Sequence, residues 1–170
     1  MLVNNKNYRT IWMEGNKVHL INQLLLPHRF EIFTSDNHKE TADAIKTMVV
    51  RGAGAIGAAG AYGVAQAALE AEQNFPELNA VPIEGVAQAA LEAEQHNFSE
   101  YLENAVSLLK NTRPTAQNLF AGIDYVYNPI KNNFNRNDIN EIKKIAVQKA
   151  GEYADYDAES CRKIGEFGNP

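Results

Sequence analysis

The sequence predicts an α+β protein that is mostly α, with a small N-terminal antiparallel β unit packed on a bundle of five or six helices. Three observations lead there. The first 34 residues hold three short β-branched or aromatic runs separated by turn residues. Beyond Asp36 the apolar residues recur at helical spacing behind capping signals. No β/α alternation follows, so the sequence offers no parallel sheet. The chain is therefore divided into an N-terminal β unit, residues 1–35, and a helical domain, residues 36–170.

Thr10-Ile11-Trp12-Met13, Lys17-Val18-His19-Leu20-Ile21 and Arg29-Phe30-Glu31-Ile32-Phe33 read as strands. Glu14-Gly15-Asn16 turns between the first two, and Leu26-Pro27-His28 breaks the chain before the third. Asn37 with Glu40 has capping-box spacing, in which the two side chains satisfy free N–H groups at a helix start. Ala42, Ile45 and Met48 then fall on one face. Asn97 with Glu100 repeats the spacing ahead of Tyr101, Leu102, Val106 and Leu109. Thr115 is placed to cap a helix carrying Leu119, Ile123 and Val126, whose end Asn128-Pro129 weakens. Asp138 with Glu141 opens a last helix through Ile142, Ile145 and Ala146, and Gly151 is expected to interrupt it before a segment ending at Gly165.

A chain of 170 residues allows one domain and barely two. Hydrophobic residues at 45% and charged residues at 22% exclude a disordered tail, a collagen-like repeat and a disulfide-rich mini-protein. The net charge of −5, with no Lys/Arg block, argues against nucleic acid as a partner. Cys161 is the one cysteine, so no internal disulfide forms, as suits a reducing cytosol. The N-terminus lacks the charged start and apolar run of a secretion signal. The most apolar stretch, residues 52–69, is too rich in Ala and Gly to span a membrane and runs into Glu70 and Glu72. The expectation is a cytoplasmic globular protein with no membrane partner.

Residues 63–73 (GVAQAALEAEQ) recur letter for letter as residues 85–95, an offset of 22. Two copies are too few for a solenoid. A tandem duplication explains them, with one copy in the native helix and the other a surface insertion, Pro76 and Pro82 lying in the connection.

Two segments carry candidate chemistry. Arg51-Gly52-Ala53-Gly54-Ala55-Ile56-Gly57 contains a formal G-x-G-x-x-G, with Glu70 or Glu72 at the distance of a ribose ligand. The dinucleotide reading is weak, because residues 41–48 read as helix rather than strand. A simpler anion suits the pattern: backbone N–H groups at a glycine-rich helix start hold a phosphate, and Arg51 adds a fork. The competing reading is structural, with Gly57, Gly60 and Gly63 permitting close helix packing. Arg113-Pro114-Thr115 places a second arginine before a helix start; by itself it reads as a surface arginine beside a capped helix, while with Arg51 the two helix N-termini could converge on one phosphate ester. His19, His28, His38 and His96 share no metal-ligand spacing and are read as surface or strand residues. No metal or cofactor is expected. Asp155, Asp157 and Glu159 read as a solvated face, and Cys161 is given no catalytic role.

Several segments in order resemble the amino-terminal half of the methylthioribose-1-phosphate isomerase family. That family is related to ribose-1,5-bisphosphate isomerases and to regulatory subunits of the exchange factor for eukaryotic translation initiation factor two. The resemblance is carried by Arg9-Thr10-Ile11-Trp12, by residues 18–23 with Leu26-Pro27, and by residues 44–57. Arg113-Pro114-Thr115-Ala116-Gln117-Asn118-Leu119-Phe120 and Ile164-Gly165-Glu166-Phe167-Gly168 complete it. The early segments and Asn118-Leu119-Phe120 look more like the isomerase branch. Arg51 and Arg113 lie 62 positions apart, or 40 without the 22-residue offset, and the shorter spacing is the more family-like.

The resemblance implies that Arg51, Gly52, Ala53 and Arg113 contact a sugar phosphate. It also implies aldose–ketose isomerisation of methylthioribose 1-phosphate, a step of methionine salvage. Gly54 stands where the family usually has proline, and Phe167 where it usually has histidine. The family's Rossmann-like C-terminal domain, with its catalytic cysteine in Thr-x-Cys-Asn-Ala-Gly and its catalytic aspartate, is absent from these residues, so no catalytic residue is assigned here. The expectation is a positioning domain, inactive alone, whose partner is that domain or a second copy, and whose uncovered apolar face promotes self-association. The alternative is a non-catalytic regulatory or binding module like the initiation-factor subunits.

Overall fold

The computed structural model describes residues 2–3, 5–74, 87–134 and 138–168. Among the described residues five strands precede five helices: β1 (Leu2–Val3), β2 (Lys6–Asn7), β3 (Ile11–Glu14), β4 (Lys17–Ile21), β5 (Ile32–Ser35), then α1 (His38–Lys46), α2 (Ala53–Asn74), α3 (Ala87–Thr112), α4 (Gln117–Lys131) and α5 (Ile139–Gly168). β3, β4 and β5 form an antiparallel sheet in that order, with Ile11 opposite Leu20 and Ile21 opposite Ile32. Val18 and Leu20 alternate inward and are fully buried.

The β1–β2 hairpin lies outside the sequence reading, since two-residue strands carry no periodicity. The third strand begins at Ile32 rather than Arg29. A turn closed by the Arg29 N–H to the Leu25 carbonyl (2.9 Å) claims the residues just before it.

α2 explains the Ala/Gly-rich stretch. A helix apolar on every face belongs in the middle of a bundle, and from Ile56 to Ala68 every α2 residue is buried. α1, α3, α4 and α5 all pack on it. Small side chains let backbones approach. A Cβ on Gly57 would meet the Asn118 carbonyl oxygen at 2.7 Å, one on Gly60 the Leu119 side chain at 2.7 Å, and one on Gly63 that of Leu109 at 2.8 Å. Gly122 is tightest, its Cβ position lying 2.1 Å from the Gly57 carbonyl oxygen.

The capping expectations divide. At α1 the Asn37 side chain accepts the Lys39 and Glu40 N–H groups, and Glu40 reaches back to the Asp36 N–H at 2.9 Å. At α5 Asp138 accepts the Asn140 N–H at 2.9 Å. Asn97, by contrast, lies inside α3, because the Ala-rich residues ahead of it run the helix straight through. Thr115 is not a cap either: α4 starts at Gln117, and the residue before it, Ala116, makes no side-chain cap bond. α4 continues two residues past Pro129. Gly151 does not interrupt α5, where one glycine among good helix formers is tolerated.

The first repeat copy, residues 63–73, falls in α2, and the second copy from Ala87 onward opens α3. The connection with Pro76 and Pro82, and the side chains on which the insertion expectation rests, lie outside the described residues.

Candidate functional site

The loop from α1 to α2 is held at both ends by left-handed residues. Met48 has φ +65° and Gly52 φ +89°; glycine takes that conformation without strain, methionine does not. Between them Val49 and Val50 are buried, which anchors the loop and leaves Arg51 exposed. The Arg51 N–H donates to Gln23 Oε1 (2.7 Å), and its Nε–H donates to the Met48 carbonyl (3.3 Å). The Gly52 carbonyl then accepts the Ile56 N–H (3.0 Å) as α2 begins.

Arg113 is half-buried in the link between α3 and α4, and its carbonyl accepts the Ala116 N–H at 3.0 Å. Neither α2 nor α4 has an acidic residue in its first turn, and α4 has no side-chain cap. α1 and α5 instead carry Glu40 and Glu141 there. Both helices preceded by candidate arginines thus leave their N-terminal partial positive charge without a carboxylate in the first turn, as α3 also does. Gly57 and Gly122 press these helices together near those ends. Free N–H groups at two helix starts with two guanidinium groups make a chemistry suited to a phosphate ester.

One carboxylate borders this region from α5. A Cβ on Gly54 would fall 1.8 Å from Asp157 Oδ1, so Asp157 lies directly against the first turn of α2. Tyr153, one turn back, donates to the Asn118 carbonyl at 3.4 Å; burial, then the Asp157 charge, pushes its phenol above the ordinary range.

The dinucleotide reading fails on geometry. Residues 41–46 are helix, Val49 and Val50 belong to no strand, and Glu70 is buried, while the Glu72 side chain lies outside the described residues. Glu70 is buried against His38, accepting the His38 backbone N–H (2.7 Å) and pairing with Nδ1 (2.6 Å). His38 is therefore neither a surface nor a strand residue but the buried first residue of α1. Beside it Thr41 donates to Gln66 Oε1 (2.6 Å), and Gln66 Nε2 donates to the Ser35 and Asn16 carbonyls (3.1 and 3.0 Å). The one sequence signal for this network was polar Gln66 and Glu70 punctuating an Ala-rich helix at i, i+4 spacing.

The other candidates are spoken for. Asp155 pairs with Arg9 at 2.7 Å, and Arg162 pairs with Glu159 and Glu166 beside the exposed Cys161. An open groove of about 520 Å³ between α3 and α4 contains Lys110 and Lys131, already paired with Asp124 (2.6 Å) and Glu103 (3.3 Å). Among the described residues no group of three His, Cys, Asp or Glu side chains is placed to hold a metal, and no helix is long and apolar enough to cross a membrane.

Comparison with known proteins agrees with this architecture. Residues 49–170 match the model of the initiation factor 2 subunit family. A putative methylthioribose-1-phosphate isomerase of Archaeoglobus fulgidus is 38% identical over 157 residues, covering 92% of this chain and 39% of the relative. The methylthioribose-1-phosphate isomerase of Acetivibrio thermocellus is 39% identical over 150 residues, 88% of this chain and 38% of the relative. The crystal structure of 5-methylthioribose 1-phosphate isomerase from Pyrococcus horikoshii superposes with TM-score 0.77 at 34% identity, over 96% of this chain and 40% of that one. That of translation initiation factor eIF-2B, subunit delta, from A. fulgidus gives 0.73 at 36%, over 95% and 41%. The chain thus spans about two-fifths of the length of these relatives. It belongs to the initiation factor 2 subunit family, among relatives named as methylthioribose-1-phosphate isomerases.

Proposed function

We propose that these 170 residues form the substrate-positioning part of an aldose–ketose isomerase that converts methylthioribose 1-phosphate to methylthioribulose 1-phosphate. The observation that carries the reading is the pair of arginine-led helix starts lacking first-turn carboxylates, packed together at Gly57 and Gly122. Arg51, Gly52 and Ala53 hold the phosphate at the start of α2, and Arg113 closes on it from the start of α4. Their task is orientation: a fixed phosphate presents C1 and C2 of the sugar to acid–base groups that these residues do not supply. The isomerase names of the relatives support the substrate class.

The partner surface of this reading is the end of α5, where Ile164 and Phe167 are 71% and 87% exposed. Covered by a C-terminal domain or a second copy, they leave water. Uncovered, they favour self-association, which light scattering measures.

A phosphorus NMR time course of methylthioribose 1-phosphate with this chain tests the proposal. The expected result is no turnover, with a phosphate signal that shifts or broadens and that Arg51→Ala restores. Turnover would refute the assignment of the chemistry elsewhere, and an unperturbed signal would refute the site. The second reading, a non-catalytic binding module, is favoured by the family match and by the likeness to the eIF-2B delta subunit. Tight association with a protein partner that ignores the sugar phosphate would select it.

A further inference from the structure

We infer that Gln23 is a positioning residue for the anion loop, acting on the ligand through Arg51; this rests on the proposed function above. Gln23 follows β4 and sits half-buried beside the α1–α2 connection. Its backbone N–H donates to the Val49 carbonyl at 2.9 Å, and its side-chain Oε1 accepts the Arg51 N–H at 2.7 Å. One residue therefore clamps the loop at two points two residues apart, as a neighbouring strand would. The second rung is made by a side-chain amide instead of a backbone carbonyl.

The clamp sits where the loop needs it. Val49 and Val50 are fixed from the other side by burial, and Val50 N–H reaches the Ala44 carbonyl at 3.4 Å. Arg51 is the first residue past that anchor and is exposed. Gly52 follows it at φ +89°, the most permissive backbone in the segment. Without the Gln23 acceptor the Arg51 N–H loses its partner, and the arginine between Val50 and the start of α2 is restrained through the longer Nε–H bond to the Met48 carbonyl (3.3 Å). With it, the direction in which the Arg51 guanidinium leaves the backbone is set. Fixing that geometry beforehand removes an ordering cost from anion binding. Deleting one such hydrogen bond while keeping the side chain's bulk is worth about a factor of ten in affinity.

A double-mutant cycle on the full 170-residue chain decides the matter, with methylthioribose 1-phosphate followed by phosphorus NMR titration. Gln23→Met keeps the volume and the backbone bond and removes the acceptor. The expected result is a roughly tenfold loss of affinity in the parent and under about twofold in an Arg51→Lys background, since coupled residues are not additive. An unchanged affinity, or the same loss in both backgrounds, overturns the inference. Gln23→Glu, which keeps an acceptor oxygen, is expected to retain hydrogen-exchange protection at the Arg51 amide, and loss of that protection overturns the hydrogen-bond route. Failure of the parent chain to bind the sugar phosphate overturns the proposed function and this inference with it, whereas equal binding by parent and Gln23→Met overturns this inference alone.

Discussion

Gly122→Ala is the substitution whose effect the packing defines most sharply. The added Cβ would lie 2.1 Å from the Gly57 carbonyl oxygen, 2.7 Å from its carbonyl carbon and 3.1 Å from its Cα. A tolerable carbon–oxygen contact is about 3.3 Å, so α4 must retreat from α2 by about 1 Å. No rotamer change relieves this, because the opposing atoms are backbone. The retreat loosens Leu119 and Ile123, both fully buried on the same face of α4. Overpacking of this kind costs about 1–3 kcal/mol, and alanine's better helix propensity returns about 1 kcal/mol. With backbone opposing backbone the gross cost stands at the top of that range, about 3 kcal/mol, so the net expectation is a loss of about 2 kcal/mol, a drop in Tm of roughly 4–8 °C for a chain of this size. Urea and thermal unfolding monitored by circular dichroism measure it. The internal control is Gly151→Ala in α5, where nothing lies within 4 Å of the added Cβ; it is expected to gain about 0.5–1 kcal/mol. A Gly122→Ala protein melting within about 2 °C of the parent would refute the close approach, and with it the geometry that brings the two arginine-led helix starts together.

Three further outcomes are expected. Glu70→Ala leaves His38 buried without its carboxylate and costs about 3–5 kcal/mol in urea unfolding, and an equal loss from Glu92→Ala in the second copy would refute the assignment of the first copy to the polar network. Burial, and for Tyr127 the neighbouring Glu103, raise the phenols of Tyr62, Tyr127 and Tyr153 above 10.0, their ordinary value; their folded forms hold protons that the unfolded chain releases, so this stability is complete below pH 10 and declines as pH rises further. Thermal melts through that window check it, and Tyr127→Phe is expected to flatten the decline. Deleting residues 63–84 or 74–95 yields one and the same shorter chain; it is expected to fold with unchanged β content by circular dichroism and a Tm no lower than the parent's, because an inserted loop of this length adds little closure entropy.

The parts of the fold legible in the sequence were those fixed locally. Val18 and Leu20 alternate, Asn37 and Glu40 box the start of α1, and the apolar faces of α4 and α5 repeat at helical spacing. Reading failed where distant residues decide. His38 looks like any polar residue at a helix start until α2 brings Glu70 to within 2.6 Å of its ring. The glycines of residues 52–63 suggested both a phosphate loop and a packing surface, and they divide the work: Gly52 turns the chain, while Gly57, Gly60 and Gly63 admit neighbouring elements. Gln23 was legible only as part of a resemblance, because its bond to Arg51 spans 28 positions that no periodicity connects.

The duplicated segment separates local from tertiary causes within one chain. Residues 63–73 and 85–95 are identical, so every intrinsic propensity is identical, and both lie largely in helix. Local rules account for the helices and stop there. What the first copy has by virtue of position is a set of partners: Thr41, Ser35 and Asn16 for Gln66, and His38 with Tyr101 for Glu70. The same segment also undoes a neighbour's signal. Asn97 and Glu100 have the spacing of a helix start, yet a cap is worth about 1 kcal/mol, and the nine residues 87–95 running ahead of it as helix outweigh that. In the chain lacking 22 residues the remaining copy still stands directly ahead of His96 and Asn97. It now takes the place of α2, held by the partners of Gln66 and Glu70, and the chain must turn before α3. Asn97 is then expected at the first position before α3, where its side chain accepts an N–H of the first turn. A chain lacking those 22 residues in which the backbone carbon shifts of Asn97 remain helical would refute this account of α3.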